Sequence, residues 1–358
     1  MERYDEHAFD ALQVQTVRDA RRRGELTHPG LGCHWGAVDG KYTTLNHDCG
    51  GLGQRFEQDG GVYWRVGCLR AVLISSPGRQ VLGQRVMPRA DVAKAGATKV
   101  KFTGEITNLA PFIRWLRKSY GDLVSNFTLD AGLWSKAIFL AMDEAGYGVL
   151  CGLKENKPDL FREVERVLCI ERRKRPPDAQ SRWETCSRGQ MRRRFWSTTA
   201  LNNYNGWKNL RQVMVMEQTT RSHDGSETVE FRYFVTNATT GRLGPARLVR
   251  LIRQHWGIEN DCNWSFDMQF GEDDGRWCTT NKALVVLAVL RMISYNLLQH
   301  LRKSHLAEQH QRAAPSPRPW RQTFELIHDS LRRNAAILVA ESRSRTSQAA
   351  SAGYLSSS

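Results

Sequence analysis

The order of predicted strands and helices over residues 33–168 constrains the fold of this chain more than any other feature. Three strand-like segments with alternating side chains come first, and helices then alternate with two short, apolar strand-like segments. Three antiparallel strands that lead into such an alternation predict an α/β fold, with a mixed five-stranded sheet and helices on both faces. The strands are predicted over 33–41, 63–75, 80–87, 125–131 and 147–154, and the helices over 105–120, 133–145 and 158–168.

Composition divides the rest of the chain into an arm, an insertion and a tail. Residues 1–32 are predicted to form a short N-terminal helical arm, and 33–303 the main domain. Within that domain, 170–245 is interpreted as a β-rich insertion that begins with a basic, proline-terminated linker. Its strongest signal is a hairpin, because two alternating segments flank an Asp-Gly turn. Residues 304–358 are predicted to be partly helical and then disordered, since serine and alanine dominate the end of the chain.

A long helix predicted over 246–270 carries an acidic residue on its apolar side. Steps of three and four align Glu259 and His255 with large apolar residues, so the glutamate is predicted to point inward. A buried carboxylate is costly unless a cation, a metal ion or a proton compensates its charge. Gly257 lies mid-helix, where it permits the close approach of another backbone. The alternative is an ion pair between Glu259 and an arginine of the same helix. The apolar stripe consists of Leu248, Ile252, His255, Glu259, Cys262, Phe266 and Phe270.

Two aspartates stand at similarly unusual positions. Asp39 lies in the centre of a predicted strand, where aspartate is disfavoured. Asp130 ends a short apolar strand, at the edge of the sheet where open α/β folds place their ligands. With Glu259 they make three carboxylates, and hard oxygen ligands that leave positions open for water and substrate suit Mg²⁺ or Mn²⁺. We therefore predict a site at which two such ions act on a phosphodiester.

The charge of the chain indicates a polyanionic partner. Fifty-two basic and 37 acidic residues give a formal charge of +15, and nucleic acid is the first candidate. No membrane partner is expected, because the longest apolar run, 283–298, contains Arg291 and is too short to span a bilayer. The polar N-terminus has no secretory signal, and the eight cysteines form no Cys-x-x-Cys pair. Both features favour a cytoplasmic location.

The three acids lie in motifs that a known protein family shares. The motif His-Trp-Gly-Ile-Glu-Asn is specific, whereas Asp-Gly-Lys alone is weak. The motifs are Ala37–Lys41, Phe127–Ala131 and Arg253–Asn260, followed by Asn263-Trp264, Asp267 and Phe270–Asp273, with support from Val81–Gln84, Gly152–Asn156 and Gly206–Leu210. On these residues the chain resembles the DDE transposases of bacterial insertion sequences, and in particular the branch that includes the H-repeat-associated proteins. The resemblance runs through 33–303.

The resemblance implies an RNase H-like domain that cleaves DNA strands and transfers them to a target in the presence of Mg²⁺ or Mn²⁺. Asp39, Asp130 and Glu259 would bind the metal and carry the catalysis. The partner would be double-stranded DNA, both transposon ends and target, and we expect a homodimer on it, acting at the nucleoid. The residues expected to contact DNA are Lys41, Lys154, Arg253, His255 and Asn260, and from the basic insertion Arg192, Arg193 and Arg194.

Two other functional classes stay open at this point. One is a catalytically silent relic of a transposase that binds DNA through its basic insertion alone. The other is an RNase H-like nuclease that hydrolyses DNA without strand transfer. An intact set of three acids favours the transposase, whereas the short region before Asp39 favours the relic or the nuclease.

Overall fold

One mixed sheet organises the chain in this computed structural model, which describes residues 6–26, 31, 33–76, 78–87, 104–241, 243–274, 280–304 and 318–335. Eleven strands are found in those ranges. They are β1 (Trp35–Leu45), β2 (Gln54–Gln58), β3 (Gly61–Leu73), β4 (Val81–Val86), β5 (Asn126–Leu129), β6 (Gly148–Leu153), β7 (Ala179–Gln180), β8 (Glu184–Cys186), β9 (Gly189–Thr198), β10 (Gln212–Ser222) and β11 (Glu227–Thr236). The helices are α1 (Glu6–Arg22), α2 (Glu105–Tyr120), α3 (Lys136–Glu144), α4 (Pro158–Lys174), α5 (Pro245–His255), α6 (Trp264–Phe270) and α7 (Asn281–Ser304), with a π-helical segment over Ile258–Asn263.

Five strands in the order β4-β3-β1-β5-β6 form the part of the sheet that the sequence predicts. β1 is antiparallel to β3 and parallel to β5, which is parallel to β6. The predicted mixed sheet with flanking helices is thus confirmed. The additional strand β2 lies in a region interpreted from sequence as a glycine-rich loop, and it pairs with β3.

The sheet is larger than the five strands predicted, because the strands of region 170–245 extend it. β11 pairs antiparallel with β6, Tyr233 opposite Leu153, and β10, β9 and β7 follow outward. A strand at the edge of a sheet has unpaired backbone N–H and C=O groups, and β11 satisfies those of β6. The insertion therefore continues the sheet that carries the predicted acids.

Helix α4 continues further than the sequence predicts, into the basic segment interpreted as a linker. Arg175 closes the helix, because its backbone N–H donates to the carbonyl of Glu171 and its side chain pairs with the Glu171 carboxylate at 2.7 Å. The two prolines that follow cannot continue a helix.

The main core lies on one face of the sheet, under α2, α3 and α4. It contains buried side chains such as Val38, Leu129 and Val149 from the strands and Ile113 and Leu168 from the helices. The π-helical segment and α6 lie against the other face, where Phe266 is fully buried. Residues at alternate strand positions consequently face two different environments.

The chain divides into two compact units, 1–296 and 297–358. In the second unit a helix covers 320–335, and Arg302 donates to the carbonyl of Arg318 at 2.8 Å. The segment from 342 onward that is predicted to be disordered lies outside the described residues.

Helix α7 contains the apolar run 283–298, which the sequence predicts to be too short to span a bilayer. Over Lys282–Arg302 it is long and apolar enough to cross a membrane, judged by length and composition alone. The core helices of soluble proteins meet the same criterion, so this observation is weak.

Candidate active site

Asp39 lies in the middle of β1, on the face of the sheet opposite the main core. The preceding Val38 is fully buried in that core, and strand alternation turns Asp39 to the other side. There its Oδ2 accepts a hydrogen bond from Nδ2 of Asn263, at 3.2 Å. The sequence therefore places an aspartate under the helical segment that carries Glu259.

Asp130 is next to Asp39 because of the register between β1 and β5. Val38 pairs with Leu129 in parallel, so Asp39 and Asp130 follow at the same level of two adjacent strands. Neighbouring strands are about 4.8 Å apart. Two residues 91 positions apart in sequence (130 − 39) thus lie close together at the C-terminal end of β5.

Charge coupling shows that the third acid shares this region. Burial raises the pKa of Asp39 to about 6, and the charge of Glu259 is the next cause. The charges of Asp130 and Glu105 contribute in the same direction, whereas the backbone N–H of Gly40 opposes the shift. The pKa of Glu259 is also raised, by burial first and by Asp130 second. Glu259 and Asp130 are therefore close enough to raise the pKa of Asp39, and Asp130 is close enough to raise that of Glu259.

Glu259 does not point inward as predicted. Its helix is not one continuous α-helix, because α5 ends at His255 and the segment from Ile258 to Asn263 is π-helical. A π-helical turn holds more residues than an α-helical turn, and this changes which side chains face the sheet. Ile258 takes the buried position, and Glu259 lies exposed beside it.

Gly257 also differs from expectation. It permits the approach of a side chain and not of a backbone, since a Cβ added there would lie 2.6 Å from Cζ of Arg79. That arginine binds the Asp261 carboxylate at 3.1 Å. Gly257 thus makes room for an arginine that ties the π-helical segment to the turn before β4.

The carboxylates do not form a preformed metal cage. Among the described residues, no group of three or more His, Cys, Asp or Glu side chains is arranged to hold a metal ion. Mg²⁺ is commonly bound by one or two carboxylates together with waters and substrate phosphates. The hard oxygen donors of Asp39, Asp130 and Glu259 fit an ion of that kind, whose charge would offset their mutual repulsion.

A cleft of about 950 Å³ opens beside Asp130. His255 lines it and forms a hydrogen bond with Oγ1 of Thr128, at 2.8 Å. Burial lowers the pKa of His255, against the opposing charge of Asp130, which favours a neutral ring. Lys154 is exposed on the cleft wall, and its charge opposes the rise in the pKa of Glu259 that burial and Asp130 cause. The cleft is further lined by Leu129, Gly152, Asn156, Phe161, Phe231, Tyr233 and Trp256.

Lys41 is held within the protein. Its side chain is only 10 % exposed, and its ammonium binds Asp267, with Asp273 at 3.4 Å and Glu272 at 3.7 Å. The sequence predicts a DNA contact from this lysine. In the structure, its ammonium is instead surrounded by three carboxylates that belong to the motifs after Glu259.

The predicted basic run of the insertion is half-buried in β9 and engaged in side-chain contacts. Arg194 binds the buried carboxylate of Glu217, and Arg192 lies over the ring of Trp183 at 4.8 Å. Arg193 pairs with Glu184 at 3.2 Å. These partners reduce the charge that the run presents to solvent.

Two of the remaining predicted contacts lie on the outer side of α5 and of the π-helical segment. Arg253 is exposed and binds Glu184 at 2.8 Å, so its ion pair goes to the insertion and not to Glu259. Asn260 is exposed next to Glu259. Both side chains border the surface from which a substrate would reach the acids.

Sequence reasoning missed three residues at this site. Glu105, in the first turn of α2, hydrogen bonds to Tyr42, and its charge raises the pKa of Asp39. An acid at that position is usually explained by the helix dipole alone. The other two are Arg70 and Asn263, which lie beside Asp39. Asn263 belongs to the motif Asn263-Trp264, to which the resemblance assigned no role.

Comparison with known proteins gives little. No protein-family model matches this chain, and no curated protein matches it. A solved structure, the cryo-EM structure of the piggyBac transposase synaptic complex with hairpin DNA, aligns over 77 % of this chain with a TM-score of 0.38 and 12 % identity. The alignment spans about half (48 %) of that protein's chain. A likeness of this size shows neither fold nor function by itself, so function is argued below from the residues.

Proposed function

We propose that this chain is a DNA transposase of the DDE type with an RNase H-like catalytic domain, which cleaves and transfers the strands of an insertion sequence. The observation that carries this proposal is the convergence of three acids. Asp39 in β1 lies at the same level as Asp130, which follows the end of the parallel strand β5, and Glu259 raises the pKa of Asp39 from the helical segment above. Acids whose pKa values are raised by burial and by neighbouring acids, beside a cleft, are typical of catalytic sites.

Asp39, Asp130 and Glu259 would hold one or two Mg²⁺ or Mn²⁺ ions. When bound, such ions supply activation of an attacking water or 3′-hydroxyl and stabilisation of the departing oxygen. The acids themselves keep the site strongly negative until a cation arrives. In the reaction a new bond forms between the attacking oxygen and phosphorus, and the bond from phosphorus to the 3′-oxygen of the cleaved strand breaks.

The rim of the site supplies the contacts to DNA. Lys154 is exposed beside Glu259, where its ammonium would bind a phosphate next to the reacting one. His255 is held by Thr128 and would act as a neutral hydrogen-bonding group on the cleft wall. The formal charge of +15 favours double-stranded DNA as the partner, because phosphate contacts supply most of non-specific affinity. We further propose that two copies assemble on DNA in the cytoplasm.

The test is strand nicking of supercoiled DNA with Mg²⁺. Glu259→Gln and Asp130→Asn should each reduce nicking by a factor of about 10³ or more, as expected when a group that stabilises transition-state charge is removed, and should leave DNA binding intact. Asp122→Asn is the control, because that carboxylate is 87 % exposed just after the end of α2 and binds Arg117.

Nicking that persists in both variants would remove these acids from the site. DNA binding by a wild-type chain that nicks nothing would leave the silent DNA-binding relic as the function. Nicking without joining of the 3′ end to a target would leave the nuclease.

A further inference from the structure

A fully buried arginine lies directly opposite Asp39 on the neighbouring strand. Arg70 of β3 is paired with Asp39 in the antiparallel register, and its side chain is 0 % exposed. A buried guanidinium is costly unless every side of it is satisfied. Here it binds the Glu272 carboxylate, donates to Oε1 of Gln84 from Nε at 3.1 Å and Nη2 at 2.9 Å, and lies over the ring of Phe266. The guanidinium is thus fixed from several directions.

The remaining contact of Arg70 decides how Asn263 is oriented. Nη1 of Arg70 donates to Oδ1 of Asn263 at 2.6 Å. Because a guanidinium can only donate, the amide oxygen of Asn263 must face Arg70. Its Nδ2 then faces Asp39 and donates to Oδ2 at 3.2 Å. Asn263 is 9 % exposed, so little solvent competes for this arrangement.

The interposed amide holds the carboxylate without neutralising it. A direct pair with Arg70 would occupy Asp39 and favour its charged form by opposite charge. Asn263 instead offers a neutral donor to Oδ2 of Asp39, so that Arg70 does not occupy the carboxylate itself.

The same contact fixes the distance between two acids. Asn263 is the last residue of the π-helical segment that carries Glu259, and the backbone N–H of the next residue, Trp264, donates to the carbonyl of Glu259. When Asn263 is bound to Arg70 and Asp39, the segment is held against β1 and β3. Glu272, just beyond α6, ties the end of that helix to Arg70 as well.

We propose that Asn263, clamped by Arg70, is a positioning residue that orients the Asp39 carboxylate and sets its spacing to Glu259 for metal binding. This inference rests on the proposed function, since it assigns the clamp a role at the same acids. It deepens that function, because it explains how a neutral side chain prepares a site whose direct ligands are all acidic.

The test is Mn²⁺ binding by calorimetry on the full chain, with half-maximal Mn²⁺ for nicking as a second readout. Asn263→Asp keeps the size of the side chain and its contact to Arg70 but removes the donor to Asp39. Its Mn²⁺ affinity should fall about 10–100-fold, the loss typical of groups that support metal ligands. Asn296→Asp is the matched control, because Asn296 is also buried and its amide bonds the backbone of Val81 in β4.

A double-variant cycle tests the role of Arg70. Arg70→Met combined with Glu272→Gln removes the buried pair together, so that no charge is left unpaired. This background should bind Mn²⁺ weakly, and adding Asn263→Asp should weaken it by less than threefold more. Full additivity would show that Arg70 does not act through Asn263.

Unchanged Mn²⁺ affinity in Asn263→Asp, with Mn²⁺ binding and nicking intact in the wild type, would overturn the inference and leave the proposed function standing. Equal losses in Asn263→Asp and Asn296→Asp would also overturn it, because they would indicate general destabilisation. A wild-type chain that neither binds Mn²⁺ nor nicks DNA would refute both the function and the clamp.

Discussion

At the scale of single residues, Asp39, Asp130 and Glu259 form no salt bridge with another residue of the described part of the chain, and burial raises the pKa of Asp39 and of Glu259. Arg70 lies opposite Asp39 on the neighbouring strand, and Lys41 lies two residues after Asp39. Arg70 nevertheless binds Glu272, and Lys41 binds Asp267. Among the described residues, Asp39 accepts hydrogen bonds from the amide of Asn263 and from a backbone N–H. The two nearby cations therefore bind the carboxylates at and beyond α6 and not the predicted acids.

Because the pKa of Asp39 is raised in the folded chain, the free energy of unfolding is expected to depend on pH. An acid whose pKa is higher in the folded than in the unfolded chain contributes stability that is fully present below the unfolded pKa and is lost as pH rises through the folded pKa. For Asp39 the window runs from 3.8 to about 6. Without metal, the free energy of unfolding of the wild type, relative to Asp39→Asn, should fall by about 1–3 kcal/mol across this window.

Urea unfolding in the presence of a chelator, at several pH values, measures this difference. The comparison with Asp39→Asn removes the contribution of all other groups. Two pH profiles that run parallel would show that Asp39 is not destabilised by its surroundings.

At the scale of elements, the π-helical segment places Glu259 at the surface of the site. A regular α-helix over 246–270 would keep the stripe predicted from sequence and turn Glu259 toward the sheet. The segment exposes it and buries Ile258 instead. Arg79 supports this geometry, because it fills the space beside Gly257 and binds Asp261.

Gly257→Ala tests this packing. The methyl group would meet the guanidinium of Arg79, so the substitution alone should be neutral or destabilising. In an Arg79→Ala background the same change should stabilise the chain by about 1 kcal/mol, the difference in helix propensity between alanine and glycine. Urea unfolding of the four chains gives the coupling, and a gain of the same size in both backgrounds would contradict the contact.

At the scale of the whole molecule, the net charge of +15 is not spread evenly over the predicted DNA contacts. The run Arg192 to Arg194 is half-buried and bound by Glu184, Glu217 and Trp183. Lys154 is exposed beside the acids. The cleft rim is thus a better site for phosphate contacts than the centre of β9.

The salt dependence of DNA affinity separates these two surfaces. The logarithm of the binding constant should fall linearly with the logarithm of salt concentration, with a slope of about −0.9 per phosphate contact. Lys154→Gln should reduce that slope by about 1, whereas Arg194→Gln should leave it unchanged and lower stability instead. Fluorescence anisotropy with a labelled duplex is a suitable measurement, and equal slopes in all three chains would show that Lys154 makes no phosphate contact.

The sequence by itself determined the order and type of most elements, and it placed two of the three acids at strands. Alternation and helical periodicity are local properties, so α2 begins and ends where predicted. Asp39 lies on the expected strand β1, and Asp130 directly follows the expected strand β5. The apolar stripe of the predicted helix singled out the third acid, Glu259, and the resemblance to DDE transposases assigned it to the same site as the two aspartates.

Only the tertiary structure decided which charged side chains are buried or paired and which are exposed to solvent. The joining of β11 to β6, the clamp of Arg70 on Asn263 and the capture of Lys41 by Asp267 all depend on pairs far apart in sequence. Local pattern cannot report such pairs, because the free energy of a charged side chain depends on the partner that the fold supplies. The exposure of Glu259 has the same origin, since a π-helical turn forms where packing against the sheet favours it.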